Sequence, residues 1–274
     1  MFERCLERWR LRIDGTPLRT DAAELLPVLT TTGAPAMLKH TTAPEELAGF
    51  GLLEWWDGDG AARVLAREGN VLLMERATGH ADLLRWAMQD PQADAAASAV
   101  LCDVLARLHA ARATPAPPLQ PLAGWFEALG AEAAVRGGMF ARCAIIANAL
   151  LADPDSDDVV PLHGDCHHRN VLDFGARGWL AIDPKDRVGD RGFDYAQLLC
   201  NPDLPHAAGS ARFAAQLAQV SARAGLQPVR LARWTAARAA LSAVWFLEDG
   251  CEREADHDLA IAGTALDWLA QAPG

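Results

Sequence analysis

Short apolar runs separated by turn residues fill the first 75 positions of the chain. Residues 25–31 and 36–39 flank one such turn, and residues 63–68 and 71–75 flank Gly69-Asn70. Paired runs of this kind are typical of β-hairpins. The pattern therefore predicts a small, mostly antiparallel sheet.

A single helix is expected within this sheet region. Pro44 suits the first turn of a helix, and Glu45 and Glu46 follow it. The run Asp57-Gly58-Asp59-Gly60 is a strong stop signal. We expect a helix from residue 44 to about residue 56.

The pattern becomes helical after Thr78-Gly79. Apolar residues recur at helical spacing within 93–112, a proline-rich loop follows at 115–121, and a second helix is expected at about 138–152. Residues 159–183 return to strand patterns, and several helices are expected within 205–272.

These patterns predict an α+β chain with two lobes. Residues 1–77 would form a small N-lobe with an antiparallel sheet, and residues 78–274 a larger, mainly helical C-lobe. A cleft between two lobes is a favoured place for a ligand.

Composition narrows the possible partners. Of the 274 residues, 51% are hydrophobic and 22% are charged, which is typical of a globular protein, and the net charge is −11. An acidic surface repels phosphate backbones, which argues against nucleic acid as a partner. The same charge would attract cationic small molecules.

The sequence also bears on location. The first ten residues are too charged for the core of a signal peptide, and no apolar run approaches 18 residues. The six cysteines are scattered and are expected to be reduced thiols, mostly buried. We therefore expect a cytoplasmic protein that does not enter a membrane.

The stretch that carries candidate chemistry is a polar loop between two predicted strands. It begins with His163-Gly164-Asp165, and Asn170 follows Asp165 after four intervening residues. That is the spacing of the kinase catalytic loop. Asp165 could orient an acceptor hydroxyl and take its proton.

A predicted hairpin brings a further carboxylate to this loop. Residues 171–174 and 179–182 flank the turn 175–178, so the start of the first strand lies beside the end of the second. Asn170 and Asp183 would therefore be neighbours. An amide oxygen and a carboxylate suit Mg²⁺, which shares its remaining ligand positions with phosphate.

Phosphate transfer also needs a cation for the nucleotide. Lys39 ends a predicted strand of the N-lobe, as the strand-three lysine of kinases does. Glu45, Glu46 and Glu54, on the following helix, are the candidate partners for its charge.

These residues resemble a known family. The motif His163-Gly164-Asp165-x-His167-x-x-Asn170, followed by Ile182-Asp183-Pro184, is similar to that of the aminoglycoside phosphotransferase family, which has a protein-kinase-like fold. Within it, the hairpin 177–184 and the run 258–262 resemble the streptomycin 6-kinase and hydroxyurea-resistance kinase group. The resemblance extends over roughly residues 36–262.

The resemblance implies a role for each matching residue. Asp165 would be the catalytic base, and Asn170 and Asp183 would hold Mg²⁺. Lys39 would contact the α- and β-phosphates of ATP and pair with Glu46. The adenine would meet the backbone of an inter-lobe hinge, and Asp194 would brace the catalytic loop. The hinge residues are Met74, Glu75, Arg76 and Ala77.

Two features depart from protein kinases. No glycine-rich phosphate loop is present, and Arg19-Thr20-Asp21-Ala22-Ala23 stands in its expected place. Asp183 is followed by Pro184 rather than by Phe-Gly, which suits antibiotic kinases and argues against an activation segment.

For several polar residues, both a functional and a purely structural interpretation are open. An acidic cluster could line a pocket for a guanidinium or amine, with Trp245 at its border, or could be a solvated helix end. The three histidines of the loop lack the glutamate and the helix of a zinc motif, and His163 is expected to bond the backbone. The acidic cluster comprises Glu248, Asp249, Glu252, Glu254, Asp256 and Asp258.

We therefore expect an ATP-dependent O-phosphotransferase. Its acceptor would be a small, cationic, polyhydroxylated molecule, and by resemblance a streptomycin-like aminoglycoside, so that the enzyme would confer antibiotic resistance. The alternatives are a kinase for an endogenous sugar, amine or fructosamine, and a nucleotide-binding pseudoenzyme.

Overall fold

An antiparallel sheet of six strands dominates the first part of the chain. The structure is a computed structural model, and it describes residues 2–20, 22–153, 158–202 and 206–272. The strands run in the order β1-β3-β4-β6-β5, and β2 also pairs with β3. The two predicted hairpins, β3–β4 and β5–β6, are confirmed. The strands are β1 (Arg12–Ile13), β2 (Leu18–Arg19), β3 (Ala23–Leu29), β4 (Pro35–Thr41), β5 (Val64–Glu68) and β6 (Val71–Glu75).

Two helices accompany this sheet. Helix α2 (Pro44–Trp56) is the predicted one, and it ends where Asp57 adopts a left-handed conformation, with φ of 44°. The expectation of a single helix is wrong, because α1 (Glu3–Arg8) covers the other face of the sheet. Cys5 of α1 is buried there in a small apolar cluster with Leu26 and Val28 of β3. Six residues are too few to produce a helical period in the sequence.

The second part of the chain is mainly helical. The helix predicted at 138–152 is confirmed, whereas the one predicted at 93–112 begins slightly earlier and ends at Leu108. Helix α5 has no counterpart in the prediction, because only Phe126 and Leu129 of its alanine-rich sequence are buried. The helices are α3 (Leu83–Ala87), α4 (Pro91–Leu108), α5 (Ala123–Arg136), α6 (Gly138–Ala152), α7 (Gly192–Leu199), α8 (Ser210–Ala224), α9 (Pro228–Glu248) and α10 (Glu252–Gln271).

Five short strands are inserted between these helices. The predicted hairpin around residues 175–178 is confirmed as β9–β10, with Leu172 opposite Leu180. A second small sheet has the order β7-β11-β8. The loop 163–170 therefore runs from the end of β8 to the start of β9. The strands are β7 (Gln120–Pro121), β8 (Val159–Leu162), β9 (Val171–Asp173), β10 (Trp179–Ala181) and β11 (Arg187–Asp190).

Helix α9 forms the centre of the helical part. Its Trp234 is fully buried, and its ring lies 5.9 Å from that of Phe126 and 6.0 Å from that of Phe193. Aromatic rings at this separation add to the stability that burial provides. All six cysteines are free thiols, four of them buried, as expected. None of the helices in the described ranges combines the length and apolar character needed to cross a bilayer.

Candidate active site

The loop 163–170 is held from below by one buried carboxylate. Asp194, on helix α7, accepts hydrogen bonds from the backbone N–H groups of His163 and Gly164, each at 2.8 Å. His109, which follows helix α4, donates to the same carboxylate at 2.8 Å. Because Asp194 is completely buried, these bonds are shielded from water and fix the loop relative to two helices.

His163 is a structural residue beneath the loop. Its Nε2 lies 2.9 Å from the carbonyl oxygen of Ile182, which can only accept, so Nε2 carries the proton. Its Nδ1 accepts from the N–H of Asp165 at 3.2 Å, and its ring stacks on Trp56. Burial lowers the pKa of His163, which keeps the ring neutral. The expected bond to the backbone is confirmed.

Asp165 projects from this loop with both carboxylate oxygens engaged. Asn170 donates to its Oδ2 at 3.1 Å, and Gln197 of α7 donates to its Oδ1 at 3.1 Å. Burial would raise the pKa of Asp165, but the hydrogen bond and charge of His167, with Arg238 and Lys185, outweigh it and lower the pKa. The side chain is therefore ionised at neutral pH and held in one orientation.

Asn170 and Asp183 meet where the β9–β10 hairpin closes. The N–H of Ile182 donates to the carbonyl of Asn170 at 2.9 Å, so the chain places Asp183 next to Asn170. Both hydrogen bonds of the Asn170 side chain use its nitrogen, which leaves the amide oxygen for a cation. An amide oxygen beside a half-buried carboxylate fits the hard oxygen ligands that Mg²⁺ prefers.

Lys39 lies at the centre of a chain of buried charges. Its Nζ donates to Oε2 of Glu46 and, at 2.6 Å, to Oδ1 of Asp183. The pairing with Glu46 is thus the expected one. Of its two competitors, Glu45 lines a cavity and Glu54 accepts from Arg67 at 3.2 Å.

The second cation on Glu46 comes from Lys185, which the sequence analysis did not select. Its Nζ donates to Oε1 of Glu46, so the two carboxylate oxygens each serve one lysine. Burial would raise the pKa of Glu46, but the charges and hydrogen bonds of Lys39 and Lys185 outweigh it and lower the pKa.

The segment expected to be the hinge begins within strand β6, which contains Met74 and Glu75, and continues past its end through Arg76 and Ala77. The N–H of Glu75 is bonded to the carbonyl of Arg63, and its side chain accepts from Arg177 at 2.6 Å. Arg76 donates to Asp14 at 2.5 Å. An adenine ring could therefore not use the N–H of Glu75 and would have to meet the segment Met74-Glu75-Arg76-Ala77 at other backbone atoms.

A short turn stands where kinases carry a glycine-rich loop. Strands β2 and β3 pair on either side of it, with Arg19 opposite Glu24. Thr20 closes the turn by accepting from the N–H of Ala23 at 3.0 Å. Asp21 lies outside the described residues.

Two cavities open on either side of Asp165. The first, of about 370 Å³, is lined by carboxylates and by two tryptophan rings whose centres lie 5.3 Å apart. The second, of about 240 Å³, contains Gln197, Ser242 and Asp258. Buried Arg238 borders both. The residues lining the first cavity are Glu45, Trp125, Gly164, Asp165, Lys185, Arg238, Trp245, Glu248 and Asp249.

The acidic cluster is divided between the two cavities and a solvated helix end, and binding of a guanidinium or amine by its cavity-lining part stays a prediction. Glu248 and Asp249 line the first cavity together with Trp245, and Asp258 lines the second. Glu252, Glu254 and Asp256 are exposed on the first turns of α10, where carboxylates favour a helix N-terminus.

Three side chains around Asp165 escaped the sequence analysis: Gln197, Lys185 and Arg238. Lys185 stands two positions after Asp183 and is one of two lysines in the chain, which was the one available signal. Gln197 and Arg238 lie on helices whose sequences contain no active-site motif, so only their packing brings them to the loop.

The sequence of this chain is similar to those of known antibiotic resistance kinases. Residues 8–250 match the family described as aminoglycoside/hydroxyurea antibiotic resistance kinase. A streptomycin 3''-kinase of Klebsiella pneumoniae is 50% identical over 89% of this chain and 92% of its own. A streptomycin 6-kinase of Streptomyces griseus is 34% identical over 96% of this chain and 87% of its own.

The fold also matches a solved structure. A thermostable mutant of aminoglycoside phosphotransferase APH(4)-Ia, in a ternary complex with ADP and hygromycin B, superposes with a TM-score of 0.67. The match covers 99% of this chain and 98% of that one, at 14% identity. The two-lobed, protein-kinase-like fold class is therefore confirmed.

Proposed function

The chain belongs to the aminoglycoside/hydroxyurea antibiotic resistance kinase family, and we propose that it transfers the γ-phosphoryl group of ATP to streptomycin. It is a phosphotransferase with an alcohol group as acceptor. The 3'' hydroxyl is the favoured position, because the relative that shares half of its aligned residues with this chain is a streptomycin 3''-kinase.

The observation that carries the proposal is the setting of Asp165. Its ionised carboxylate is oriented by Asn170 and Gln197 and lies at the border of both cavities. Such a group can orient an acceptor hydroxyl and receive its proton as phosphoryl transfer proceeds.

The nucleotide would bind on the Lys39 side of Asp165. Lys39, oriented by Glu46, would contact the α- and β-phosphates, and the segment Met74-Glu75-Arg76-Ala77 would meet adenine. Asn170 and Asp183 would hold Mg²⁺. The ion would supply positive charge to offset that of the phosphates.

The first cavity supports a cationic acceptor. Glu45, Glu248 and Asp249 bring carboxylates to it, and Trp125 and Trp245 bring aromatic rings. Guanidinium groups bind carboxylates through paired hydrogen bonds and stack on aromatic faces. Streptomycin carries guanidinium groups on a polyhydroxylated ring and so combines both requirements.

We place this activity in the cytoplasm, with neither nucleic acid nor membrane as a partner. ATP is available there, and the free thiols of the chain suit a reducing compartment. The net charge of −11 opposes binding to phosphate backbones and to anionic lipid surfaces.

Phosphorus NMR of the reaction products tests the proposal. The purified protein, ATP, Mg²⁺ and streptomycin should give one phosphomonoester and an equal amount of ADP. Proton–phosphorus correlation should assign the ester to the 3'' oxygen, whereas assignment to the 6 oxygen would overturn that part of the proposal.

Parallel reactions with hydroxyurea, a fructosamine and choline separate the alternatives. Transfer to one of these and not to streptomycin would replace the proposed acceptor. If ATP raised the melting temperature but no acceptor gained phosphate, the pseudoenzyme would be the better explanation.

A further inference from the structure

The chain contains only two lysines, and the fold brings them to the same place. Of the 25 basic side chains, only Lys39 and Lys185 are lysines. At all other positions the basic side chain is arginine. Arg212, for example, donates to buried Asp94 from Nε at 2.7 Å and from Nη2 at 3.0 Å. Both lysines nevertheless bond to the same carboxylate, that of Glu46.

The chemistry of the two cations differs. An ammonium is a compact point charge with donors that rotate, whereas a guanidinium is a wider, planar fork. Two ammonium groups can share one carboxylate, one on each oxygen, and still direct their remaining protons elsewhere. Lysine at these two positions therefore indicates a requirement for compact positive charge.

The backbone fixes Lys185 against the catalytic loop. Its N–H donates to the carbonyl of His163 at 2.7 Å. A Cβ on Gly164, whose φ is +80°, would lie only 3.0 Å from the Cβ of Lys185. The close approach thus depends on glycine at the position next to Asp165.

Each lysine faces a different part of the site. Lys39 also bonds Asp183 at 2.6 Å, on the nucleotide side. Lys185 lines the first cavity together with Asp165, and 17% of its side chain is exposed there. Glu46 lies between them and orients both. Of the two lysines, Lys185 is therefore the one that lines the cavity proposed for the acceptor.

We propose that Lys185 is a catalytic residue that contacts the phosphoryl group as it passes from ATP to the acceptor. The inference rests on the proposed phosphotransferase activity. The bond from the γ-phosphorus to the β–γ bridging oxygen breaks, and its electron pair leaves with ADP. A bond forms from phosphorus to the acceptor oxygen, whose proton passes to Asp165. Lys185 stays protonated and donates a hydrogen bond to a transferring phosphoryl oxygen.

Binding of a phosphoryl mimic tests this role without turnover. We compare the affinity for ADP and Mg²⁺ alone with the affinity when aluminium fluoride is added to mimic the planar phosphoryl group. Lys185→Met should bind ADP with an affinity within about threefold of that of the wild type. It should lose most of the increase in ADP affinity that aluminium fluoride causes, which we call the tightening. Its kcat should fall by about 10²–10³-fold, as for loss of one preorganised donor. Lys185→Arg should recover part of the tightening.

Two further variants give the controls. Lys39→Met should weaken the binding of ADP itself. Arg67→Met removes the ion pair between Arg67 of strand β5 and Glu54 of helix α2. Neither residue lines either cavity, so this variant should change neither affinity. If Lys185→Met does not fold, Lys185→Gln keeps a donor for Glu46 and takes its place.

The proposal is overturned if Lys185→Met keeps the full tightening with aluminium fluoride. It is also overturned if ADP affinity and melting temperature fall together as in Lys39→Met, since Lys185 would then act only by holding Glu46. Aluminium fluoride needs no acceptor. Failure to phosphorylate streptomycin would therefore refute the proposed acceptor and leave this test intact.

Discussion

At the scale of single residues, the charge of Asp165 depends on its neighbours. Burial alone would raise its pKa, but its hydrogen bond and electrostatic interaction with His167, together with the charges of Arg238 and Lys185, outweigh burial and lower the pKa. Gln197 and Asn170 then fix the carboxylate by donating one hydrogen bond to each oxygen. These contacts give a carboxylate that is both ionised and oriented at neutral pH, as the proposed role of general base requires.

Replacing this carboxylate tests its role directly. Asp165→Asn should lower kcat by about 10³-fold, because the amide cannot accept the acceptor proton. ATP affinity should stay near that of the wild type, since Lys39 is bonded to Glu46 and Asp183. Steady-state kinetics with streptomycin and calorimetric titration with an ATP analogue measure the two effects.

Asp256→Asn, at an exposed position on α10, is the matched control and should leave both quantities unchanged. Turnover retained in Asp165→Asn would remove Asp165 from the mechanism.

At the scale of elements, helix α2 is docked onto the segment that follows the β9–β10 hairpin. Glu46 and Gly49 are three residues apart and so lie on the same face of the helix. Glu46 bonds Lys185, and at Gly49 the backbone of α2 passes so close to Pro184 that a Cβ would lie 1.9 Å from its carbonyl oxygen. The position of Glu46, and with it that of Lys39, is set by this contact.

A methyl group at this contact should displace the helix. Gly49→Ala is expected to lower the free energy of unfolding by about 1–3 kcal/mol, the usual cost of overpacking. It should also raise KM for ATP, because the shift of Glu46 disturbs Lys39. Urea unfolding and steady-state kinetics measure the two effects.

Gly51→Ala on the same helix provides the comparison. Its Cβ would meet Pro117 at an ordinary 3.7 Å, and alanine favours a helix interior by about 1 kcal/mol over glycine. This variant should be as stable as the wild type or more so. Equal effects of the two substitutions would contradict the docking contact.

At the scale of the whole molecule, the hairpin that carries Asp183 joins the two parts of the chain. Ala181 pairs with the loop before β5 through two backbone bonds, of 2.9 Å to the carbonyl of Gly60 and 2.8 Å from the N–H of Ala62. Arg177 reaches Glu75 at 2.6 Å and also bonds the carbonyl of Gly58. The relative position of Lys39 and Asp183 therefore depends on contacts across both parts.

Stability of the whole fold should depend on pH through His168. Burial lowers the pKa of His168 to about 4. Neither ring nitrogen has a hydrogen-bond partner among the described residues. Between pH 6.5 and 4 the unfolded chain binds a proton that the folded chain does not, so stability falls as pH falls through this window, by up to about 3 kcal/mol.

Urea unfolding at about pH 7 and about pH 4.5 measures this dependence. His168→Leu, which cannot titrate, should reduce the difference between the two conditions. His80→Gln, at an exposed position, should leave it unchanged. An equal loss of stability in wild type and His168→Leu would exclude His168 as its source.

Local patterns predicted a large part of the fold. The hairpins β3–β4, β5–β6 and β9–β10 and helix α2 follow from apolar periods and turn residues that act over a few positions. Helices α1 and α5 were missed, because one is too short and the other too rich in alanine for a period to stand out.

In the candidate site, too, local patterns predicted some residues and not others. Asp165, Asn170 and Asp183 could be selected from the sequence because one loop and one hairpin carry all three, so local geometry alone brings them together. Local geometry could not select Glu46 as the partner of Lys39, because the competing Glu45 and Glu54 lie on the same helix.

Only the tertiary structure decided which distant side chains complete the site. Gln197 reaches Asp165 from α7, and Lys185 reaches Glu46 across 139 positions of the chain. Such contacts depend on how helices and sheets pack, and packing is settled by the sum of many weak interactions rather than by any local motif. The sequence alone therefore determined the candidate groups Asp165, Asn170 and Asp183, and the fold determined which charged side chains surround them.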